Sequence, residues 1–416
     1  MAETGLGGRR FLPLFLTQAL GAVNDNLFKN ALVVMALARL PARQAAVLSA
    51  LSAGLFLLPY LLVSAPAGQL ADAHDKARLS LWTKFWELGL MLLGLAGFLS
   101  GDFRLLLAVL TGLGLQAAFF SPLKYGMLPE LFSGRALARA NGLIEAGTFA
   151  GIVLGTAAGG ALITLRHGVV WAPLAAAALS LAGIASAWAM PPLRPAAPGL
   201  KPDWRLWRAN LQLLRAAAAN PPVWHACWGI SWFWALGATV LAAFPVLAKT
   251  RLHADGQVVT WLLTLFAAGV GLGAMAAARL ARPHRLGLVL TLSGAGMSLF
   301  IADFAWAGTH LRAPGLAALL SQSGGWRASA DLVLTAFCGG AFSVPLYVRL
   351  QARAAPRQRA RMVAANNVLN AAATLAAGGA EALAYARGAP SAALLYLAAA
   401  LNLGVTAWLA RAARRD

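Results

Sequence analysis

Long apolar stretches, separated by short polar ones, recur along the whole chain. A helix that crosses a bilayer needs about 20 mainly apolar residues, and twelve stretches reach that length. The pattern therefore predicts an all-α membrane protein with two bundles of six transmembrane helices each. The predicted helices are 11–38, 46–71, 78–100, 103–128, 138–165 and 168–190 in the first bundle, and 222–249, 256–280, 284–307, 328–352, 361–384 and 390–411 in the second.

A polar link, residues 191–221, separates the two groups of helices and is rich in proline and basic residues. It divides the chain into an N-terminal bundle, residues 1–190, and a C-terminal bundle, residues 222–416. Within the link, Trp204, Trp207 and Leu211 predict a short amphipathic helix that lies at the cytoplasmic membrane interface.

Composition supports a membrane protein, because 60% of the residues are hydrophobic and only 12% are charged. Soluble domains carry about 25% charged residues. Cys227 and Cys338 both lie in apolar stretches, so neither a disulfide nor a metal site is predicted. The six histidines show neither zinc-ligand spacing nor the H-x-x-x-x-D pattern of membrane acyltransferases. We therefore expect no enzyme activity and no cofactor.

The distribution of basic residues predicts the orientation of the chain. If the N-terminus is cytoplasmic, 22 lysines and arginines fall on the cytoplasmic side and nine on the other side. Insertion into membranes leaves basic loops in the cytoplasm. We therefore predict a multi-pass membrane protein with both termini cytoplasmic. The same clustering in alternate short loops argues against nucleic acid as the reason for the net charge of +20.

The first apolar stretch carries an unusual polar face, formed by Gln18, Asp25 and Lys29 and widened by Asn26. A charge at bilayer depth costs about 2.5–3.5 kcal/mol on insertion scales, so such residues normally face a protein interior or a watered cavity. Two interpretations are open. Asp25 and Lys29 could only neutralise each other, or the face could form one wall of a polar transport site. Further charges lie in other apolar stretches: Lys84, Glu87, Asp331 and Glu381.

The segment between the second and third stretches reads G-Q-L-A-D-A-H-D-K-A-R, from Gly68 to Arg78. Gly68 would permit close packing of helices, and Asp72 could cap the N-terminus of a neighbouring helix. The segment resembles the signature loop of the major facilitator superfamily, from which it departs at Ala73 and Asp75. The resemblance implies a gating role for Gly68, Asp72 and Arg78.

A weak repeat between the two halves fits the same superfamily. A-R-A-N-G-L-I-E-A-G-T, from Ala138, aligns with V-A-A-N-N-V-L-N-A-A-A, from Val363. Repeated six-helix halves with a central site are the architecture of major facilitator transporters.

A narrower resemblance rests on several ordered motifs across most of the chain. These are Q-A-L-G-A-V-N-D-N-L-F-K-N-A-L from Gln18, S-P-L-K-Y-G-M-L-P-E-L from Ser121, A-N-G-L-I-E-A-G-T from Ala140, S-W-F-W-A-L-G-A from Ser231 and V-P-L-Y from Val344. Together they resemble the bacterial lysophospholipid transporter family, and most closely its members fused to acyltransferases. The resemblance implies that Asp25, Lys124 and Glu145 belong to the polar part of the transport pathway. Leu241 stands where other members carry an arginine, which leaves the headgroup contacts open.

The chemistry of these residues suits a lysophospholipid. Lys124 offers a positive charge to a phosphate, and Asp25 or Glu145 can balance an ammonium group. Phe28, Phe120, Trp228 and Trp232 could line an apolar route for the acyl chain, although each could equally be an ordinary lipid-facing side chain. Lys124 and Glu145 could instead form a lock at the cytoplasmic gate.

The predicted function is transport of lysophospholipids toward the cytoplasmic leaflet of a bacterial inner membrane by a monomer in contact with membrane lipids. The resemblance implies a separate acyltransferase, or acyl-acyl-carrier-protein synthetase, as a partner. Two other functions are compatible with the sequence: a proton-coupled exporter of amphipathic drugs, and a non-transporting scaffold for lipid enzymes.

Overall fold

The computed structural model describes Gly8 and residues 10–280 and 285–415, and all of its regular elements in these ranges are helices. Arg9 and Arg282, which belong to the basic residues counted on the cytoplasmic side, lie outside the described residues. Twelve of the described helices have at least 21 residues, and three shorter ones lie between them, one of which is the 3-10 helix Pro356–Gln358. The prediction of an all-α protein is confirmed for this part of the chain.

The long helices begin and end within a few residues of the predicted limits. The first half contains α1 (Leu12–Arg39), α2 (Ala42–Ala73), α3 (Lys76–Ser100), α4 (Phe103–Leu131), α5 (Gly134–Ile163), α6 (Gly168–Trp188) and the short α7 (Leu206–Ala218). The second half contains α8 (Pro221–Thr250), α9 (Gly256–Leu280), α10 (Leu286–His310), the short α11 (Leu316–Leu320), α12 (Ser323–Arg353), α13 (Arg359–Ala386) and α14 (Ser391–Arg415).

Ten helices in the described ranges are long and apolar enough to cross a membrane by composition alone. The two long helices outside this set are α1 and α13. Their polar side chains lower the mean hydropathy, and in α1 these are the residues of the predicted transport site, including Asp25 and Lys29.

Contacts divide the chain into two compact units. The first unit comprises Met1–Ala140, Ala150–Asn220 and Leu350–Ala371, and the second comprises Asn141–Phe149, Pro221–Arg349 and Ala372–Asp416. The helical link therefore packs with the first unit. The predicted domains are each continuous in sequence. The contacts instead place residues 141–149 of α5 in the second unit and residues 350–371 in the first unit.

The core of the first unit lies between α1, α3, α4 and α6. Phe28 and Phe98 are both buried there, with their rings edge to face and centroids 5.4 Å apart. On another side of α1, three glycines of α5 spaced by four residues allow the backbones to approach closely. A Cβ atom at Gly151 would lie 2.7 Å from Cβ of Ala22, and one at Gly155 would lie 3.0 Å from Cβ of Asn26. This close packing fixes the position of α1 along α5.

The predicted amphipathic helix of the link exists as α7, but Trp204 precedes it, so the prediction was wrong for that residue. α7 begins at Leu206, with Arg205 at the N-cap position, so Trp204 lies just outside the helix. Buried Ala209, Asn210, Leu213 and Ala217 form one face of α7, which packs against α2. Trp207, on another face, is 85% exposed. The helix is therefore amphipathic with an outward apolar residue, as an interfacial helix requires.

Candidate functional site

Asp25 lies at the centre of a cluster of charged side chains in the first unit. The charges that act on it belong to Lys29 of α1, Lys84 and Glu87 of α3, and Lys124 of α4. With every group ionised, the cluster carries three positive and two negative charges. Such a site has one excess positive charge, which suits an anionic group such as a phosphate.

The carboxylate of Asp25 is only partly satisfied. Its Oδ1 atom is buried and has no hydrogen-bond partner among the described residues. A buried carboxylate oxygen without a donor is costly, and such exceptions in native structures need an explanation. A ligand that brings an ammonium group, a cation or a proton would supply the missing partner.

Lys124 and Gln18 are brought together as predicted for one site. The Nζ atom of Lys124 donates a hydrogen bond to Oε1 of Gln18 over 3.4 Å and lies 4.8 Å from the ring centroid of Tyr125. Gln18 and Tyr125 are therefore two of the residues that contact this ammonium group. Lys124 as a whole residue is half-buried.

A short ion pair in the cluster joins Lys84 and Glu87, which the sequence shows as further charges in an apolar stretch. Nζ of Lys84 lies 2.6 Å from Oε2 of Glu87, and each side chain is 1% exposed. Oε1 of Glu87 accepts hydrogen bonds from Asn24 and Ser180, each over 3.2 Å, and Oε2 accepts one from Gln116 over 3.3 Å. A buried ion pair is stable only when its remaining lone pairs are satisfied in this way.

Sequence reasoning missed Asn24, Gln116 and Ser180. Each is buried, and they come from α1, α4 and α6 respectively. The only sequence signal was the spacing of Lys84 and Glu87, three residues apart on one helix face. That spacing identifies the ion pair, but not the helices that surround it.

Three other predicted site residues of the first unit lie in packed positions. The Asn26 side chain donates to the carbonyl of Ala22 over 2.8 Å and faces Gly155. Phe28 is fully buried in the apolar core. Phe120 is also buried, and Nζ of Lys84 lies 5.4 Å from its ring centroid, a favourable cation–π contact. Of these, only Phe120 touches the charged cluster.

The remaining predicted residues lie in the second unit. Glu145 is buried on the short part of α5 that belongs to that unit. Trp232 donates to Oδ1 of Asn402 over 2.8 Å, which ties α8 to α14. Trp228 is 41% exposed and packs edge to face with Trp224. Their roles in a transport pathway stay predictions.

Asp72, in the last turn of α2, forms the predicted helix cap. The carboxylate of Asp72 accepts hydrogen bonds from the backbone N–H groups of Ala360 over 3.1 Å and Arg361 over 3.3 Å, at the start of α13. It also pairs with Nε of Arg361 over 3.0 Å. The guanidinium of Arg361 is therefore engaged by a buried carboxylate.

Gly68 adds to the contact between α2 and α13, and the basic residues that follow it differ in burial. A Cβ atom at Gly68 would lie 2.7 Å from Cβ of Ala364, so α13 approaches α2 at a distance that only glycine allows. Lys76 is buried and pairs with Glu130 over 2.6 Å, whereas Arg78 is exposed. Asp75, one of the departures from the signature loop, caps α3 by accepting from the N–H of Ala77 over 2.9 Å.

We expect Asp72→Ala to lower the free energy of unfolding by about 1–3 kcal/mol, the range for a lost cap and a hydrogen bond to a charged group. The variant leaves the first N–H groups of α13 and the guanidinium of Arg361 without their acceptor. Thermal unfolding in detergent measures the loss. The control is Arg78→Ala, since Arg78 is exposed in the first turn of α3, a few residues after Asp72. Equal stability of both variants would contradict a structural cap.

Comparison with known proteins gives matches over most of the chain. The sequence profile of the Major Facilitator Superfamily matches residues 11–378. The lysophospholipid transporter LplT of Escherichia fergusonii is 32% identical over 357 residues, which cover 84% of this chain and 82% of the relative. The protein of the same name from Salmonella newport matches with the same identity and coverage.

A solved structure is similar in fold. The crystal structure of the human organic anion transporter MFSD10 (TETRAN) aligns with a TM-score of 0.76. The alignment covers 96% of this chain and 99% of that chain, at 16% sequence identity. At this identity, the likeness concerns the fold alone.

Proposed function

The chain belongs to the major facilitator superfamily and, within it, to the lysophospholipid transporter family, and from this premise we propose that it moves lysophospholipids across a bacterial inner membrane toward the cytoplasmic leaflet. The observation that carries the proposal is the 32% identity to named lysophospholipid transporters over 84% of the chain. The fold class predicted from the sequence is confirmed by the superfamily match and by the similar transporter fold. The protein is a transporter without enzyme activity in this proposal.

The charged cluster around Asp25 supports the binding of a lysophospholipid headgroup. Its excess positive charge and the ammonium of the half-buried Lys124 suit the phosphate. The unpartnered Oδ1 atom of Asp25 suits the ammonium group that many headgroups carry. Opposite charges at two ends of one site recognise a zwitterion, and the acyl chain needs only an apolar route.

Transport then follows by alternating access, with the halves 1–190 and 222–416 as the moving bodies and the link 191–221 between them. In this proposal Gly68 and Asp72 act as a gate, because the contacts that both residues make with α13 must form together and break together. The proposed partners are the lysophospholipid, membrane lipids and a separate acyltransferase that consumes the delivered lysolipid. The proposed transporter is a monomer.

Uptake of labelled lysophospholipid by proteoliposomes tests the function. We expect uptake that depends on the protein and is reduced by unlabelled lysophospholipid. Vesicles without protein control for spontaneous flipping of the lipid. Uptake equal to that of protein-free vesicles would refute the proposal. Efflux of amphipathic drugs without competition by lysophospholipid would instead support a drug exporter.

We also propose that both termini and the link are cytoplasmic. The reason is the excess of basic residues in the loops on that side. A cysteine introduced at Leu200, in a cysteine-free background, is expected to resist an impermeant thiol reagent added to intact cells. Arg251→Cys, an exposed position after α8, is the control and is expected to react. Labelling at position 200 without labelling at position 251 would reverse the orientation.

A further inference from the structure

The outward face of α7 combines apolar and basic side chains. At about 100° per residue, Trp207 and Leu211 lie about 40° apart, and Arg208 and Arg215 lie within about 20° of each other on the adjacent surface. All four are exposed, Trp207 by 85% and Leu211 by 40%. α7 itself contains no acidic residue. This is the pattern of a helix that lies in a membrane interface with its arginines among the headgroups.

The opposite face of α7 is hydrogen-bonded to α2 just before Pro66, where the backbone hydrogen bonds of α2 are interrupted. Pro66 lacks a backbone N–H, so the carbonyl of Leu62, four residues earlier, has no helical donor. Nδ2 of Asn210 donates to the carbonyls of Leu62 over 2.8 Å and Leu61 over 2.9 Å. Oδ1 of Asn210 accepts from the N–H of Ala65 over 3.1 Å. One buried side chain of α7 thus replaces backbone hydrogen bonds that α2 cannot make.

The extended part of the link is bound to the end of the same helix. The N–H of Ala197 donates to the carbonyl of Asp72 over 2.7 Å, and the N–H of Asp203 donates to Oε1 of Gln69 over 2.7 Å. The N–H of Leu193 donates to Oδ1 of Asp75 over 3.1 Å. The link therefore follows α2 from Pro66 to the last turn, which carries the Asp72 cap.

We propose that the outward face of α7 binds the anionic headgroups of the cytoplasmic leaflet, and that Asn210 transmits this binding to α2 by stabilising the segment around Pro66. The inference rests on the proposed orientation, which places the link on the cytoplasmic side. The link contains five basic residues and one acidic residue, Asp203; the basic residues are Arg194, Lys201, Arg205, Arg208 and Arg215. A surface of this charge is attracted to anionic lipids within a Debye length. Anionic lipid would thereby act on the proposed gate without entering the transport site.

Hydrogen–deuterium exchange in nanodiscs tests the lipid contact without any transport assay. The probe lipid is phosphatidylglycerol, mixed with an equal amount of phosphatidylcholine and compared with phosphatidylcholine alone. We expect the amides of residues 206–218 to exchange at least about tenfold more slowly with phosphatidylglycerol, as two arginines at an anionic surface suggest. The double variant R208Q/R215Q is expected to lose this difference. The matched control R104Q/R251Q removes two exposed arginines from the other side and should retain it.

Asn210→Ala separates the lipid contact from its effect on α2. We expect residues 206–218 of this variant to respond to phosphatidylglycerol still, while residues 59–66 exchange faster and no longer respond. Equal exchange of residues 206–218 in both lipids would overturn the lipid contact, and so would a full response by R208Q/R215Q. A parental response of residues 59–66 in Asn210→Ala would overturn the coupling. Because neither readout involves lysophospholipid, failure here differs from failure of the proposed function.

Discussion

Asp25→Asn and Lys124→Ala are each expected to slow lysophospholipid uptake at least about tenfold, which corresponds to roughly 1.4 kcal/mol, while the protein remains folded. Asn at position 25 keeps the size of the side chain but removes the charge that would balance an ammonium group. Ala at position 124 removes the ammonium of the half-buried Lys124, which is proposed to bind phosphate. Initial rates of uptake into proteoliposomes measure both effects.

The position of Asp25 explains why a large effect is expected. It lies 13 residues after Leu12, the first residue of α1, or about 20 Å along a 28-residue helix. That is close to the middle of the helix, where a charge is costly in a bilayer. Its buried Oδ1 atom has no hydrogen-bond partner within the part of the chain that the structure describes.

Lys249→Ala is the matched control for Lys124→Ala, because Lys249 is exposed in the last turn of α8. It should transport at the parental rate. Monodisperse elution and unchanged helical content establish that each variant is folded. Parental uptake by both Asp25→Asn and Lys124→Ala would show that these charges serve packing only. Misfolding of both variants would show that they are structural, and the binding site would then lie elsewhere.

Glu87→Ala is expected to destabilise the protein by about 3–5 kcal/mol, the cost of leaving one member of a buried ion pair without its partner. The change leaves the ammonium of Lys84 buried and removes the acceptor for Asn24, Gln116 and Ser180. Thermal unfolding in detergent, or titration with a denaturing detergent, measures the loss. This should be a larger loss of stability than that of an Asp25 variant, since no comparable hydrogen-bond network surrounds Asp25 among the described residues.

Two variants make this prediction specific to the buried pair. Asp303→Asn alters the pair between Asp303 and Arg327, whose side chains are 28% and 48% exposed, and should cost no more than about 1 kcal/mol. The double variant Lys84→Met/Glu87→Leu removes both buried charges and should recover part of the loss caused by Glu87→Ala. If Glu87→Ala is no more destabilising than Asp303→Asn, the network contributes little to folding.

The sequence predicted the helices well because long apolar stretches leave little choice in a membrane. The largest differences occur where a helix continues past its apolar part, as in α2, which begins at Ala42 rather than at residue 46, and α12, which begins at Ser323 rather than at residue 328. Apolar length marks the part of a helix inside the bilayer. It gives no information about the turns that project beyond it.

The candidate site was predictable only where a charge interrupts an apolar stretch. Asp25, Lys84 and Glu87 were visible for that reason, whereas Asn24 and Ser180 are neutral residues that many membrane helices contain. Their importance depends on which helices are neighbours, and periodicity within one helix does not encode that. Arg361 illustrates the same limit, because a basic residue beside a loop predicts an anchor until the buried carboxylate of Asp72 is seen beside it.

The cap that Asp72 provides for α13 can form only late in the synthesis of the chain. The two backbone groups that it binds come 288 and 289 residues later in the chain. At about 5–20 residues per second, a ribosome reaches them roughly 15–60 s after it has made Asp72. During that interval the carboxylate must be hydrated or held by a chaperone, and Gly68 lacks the helix that will cover it. The first unit therefore completes its packing only when α13 has been inserted, so a chain that stops after the link would leave this surface open to quality-control proteases.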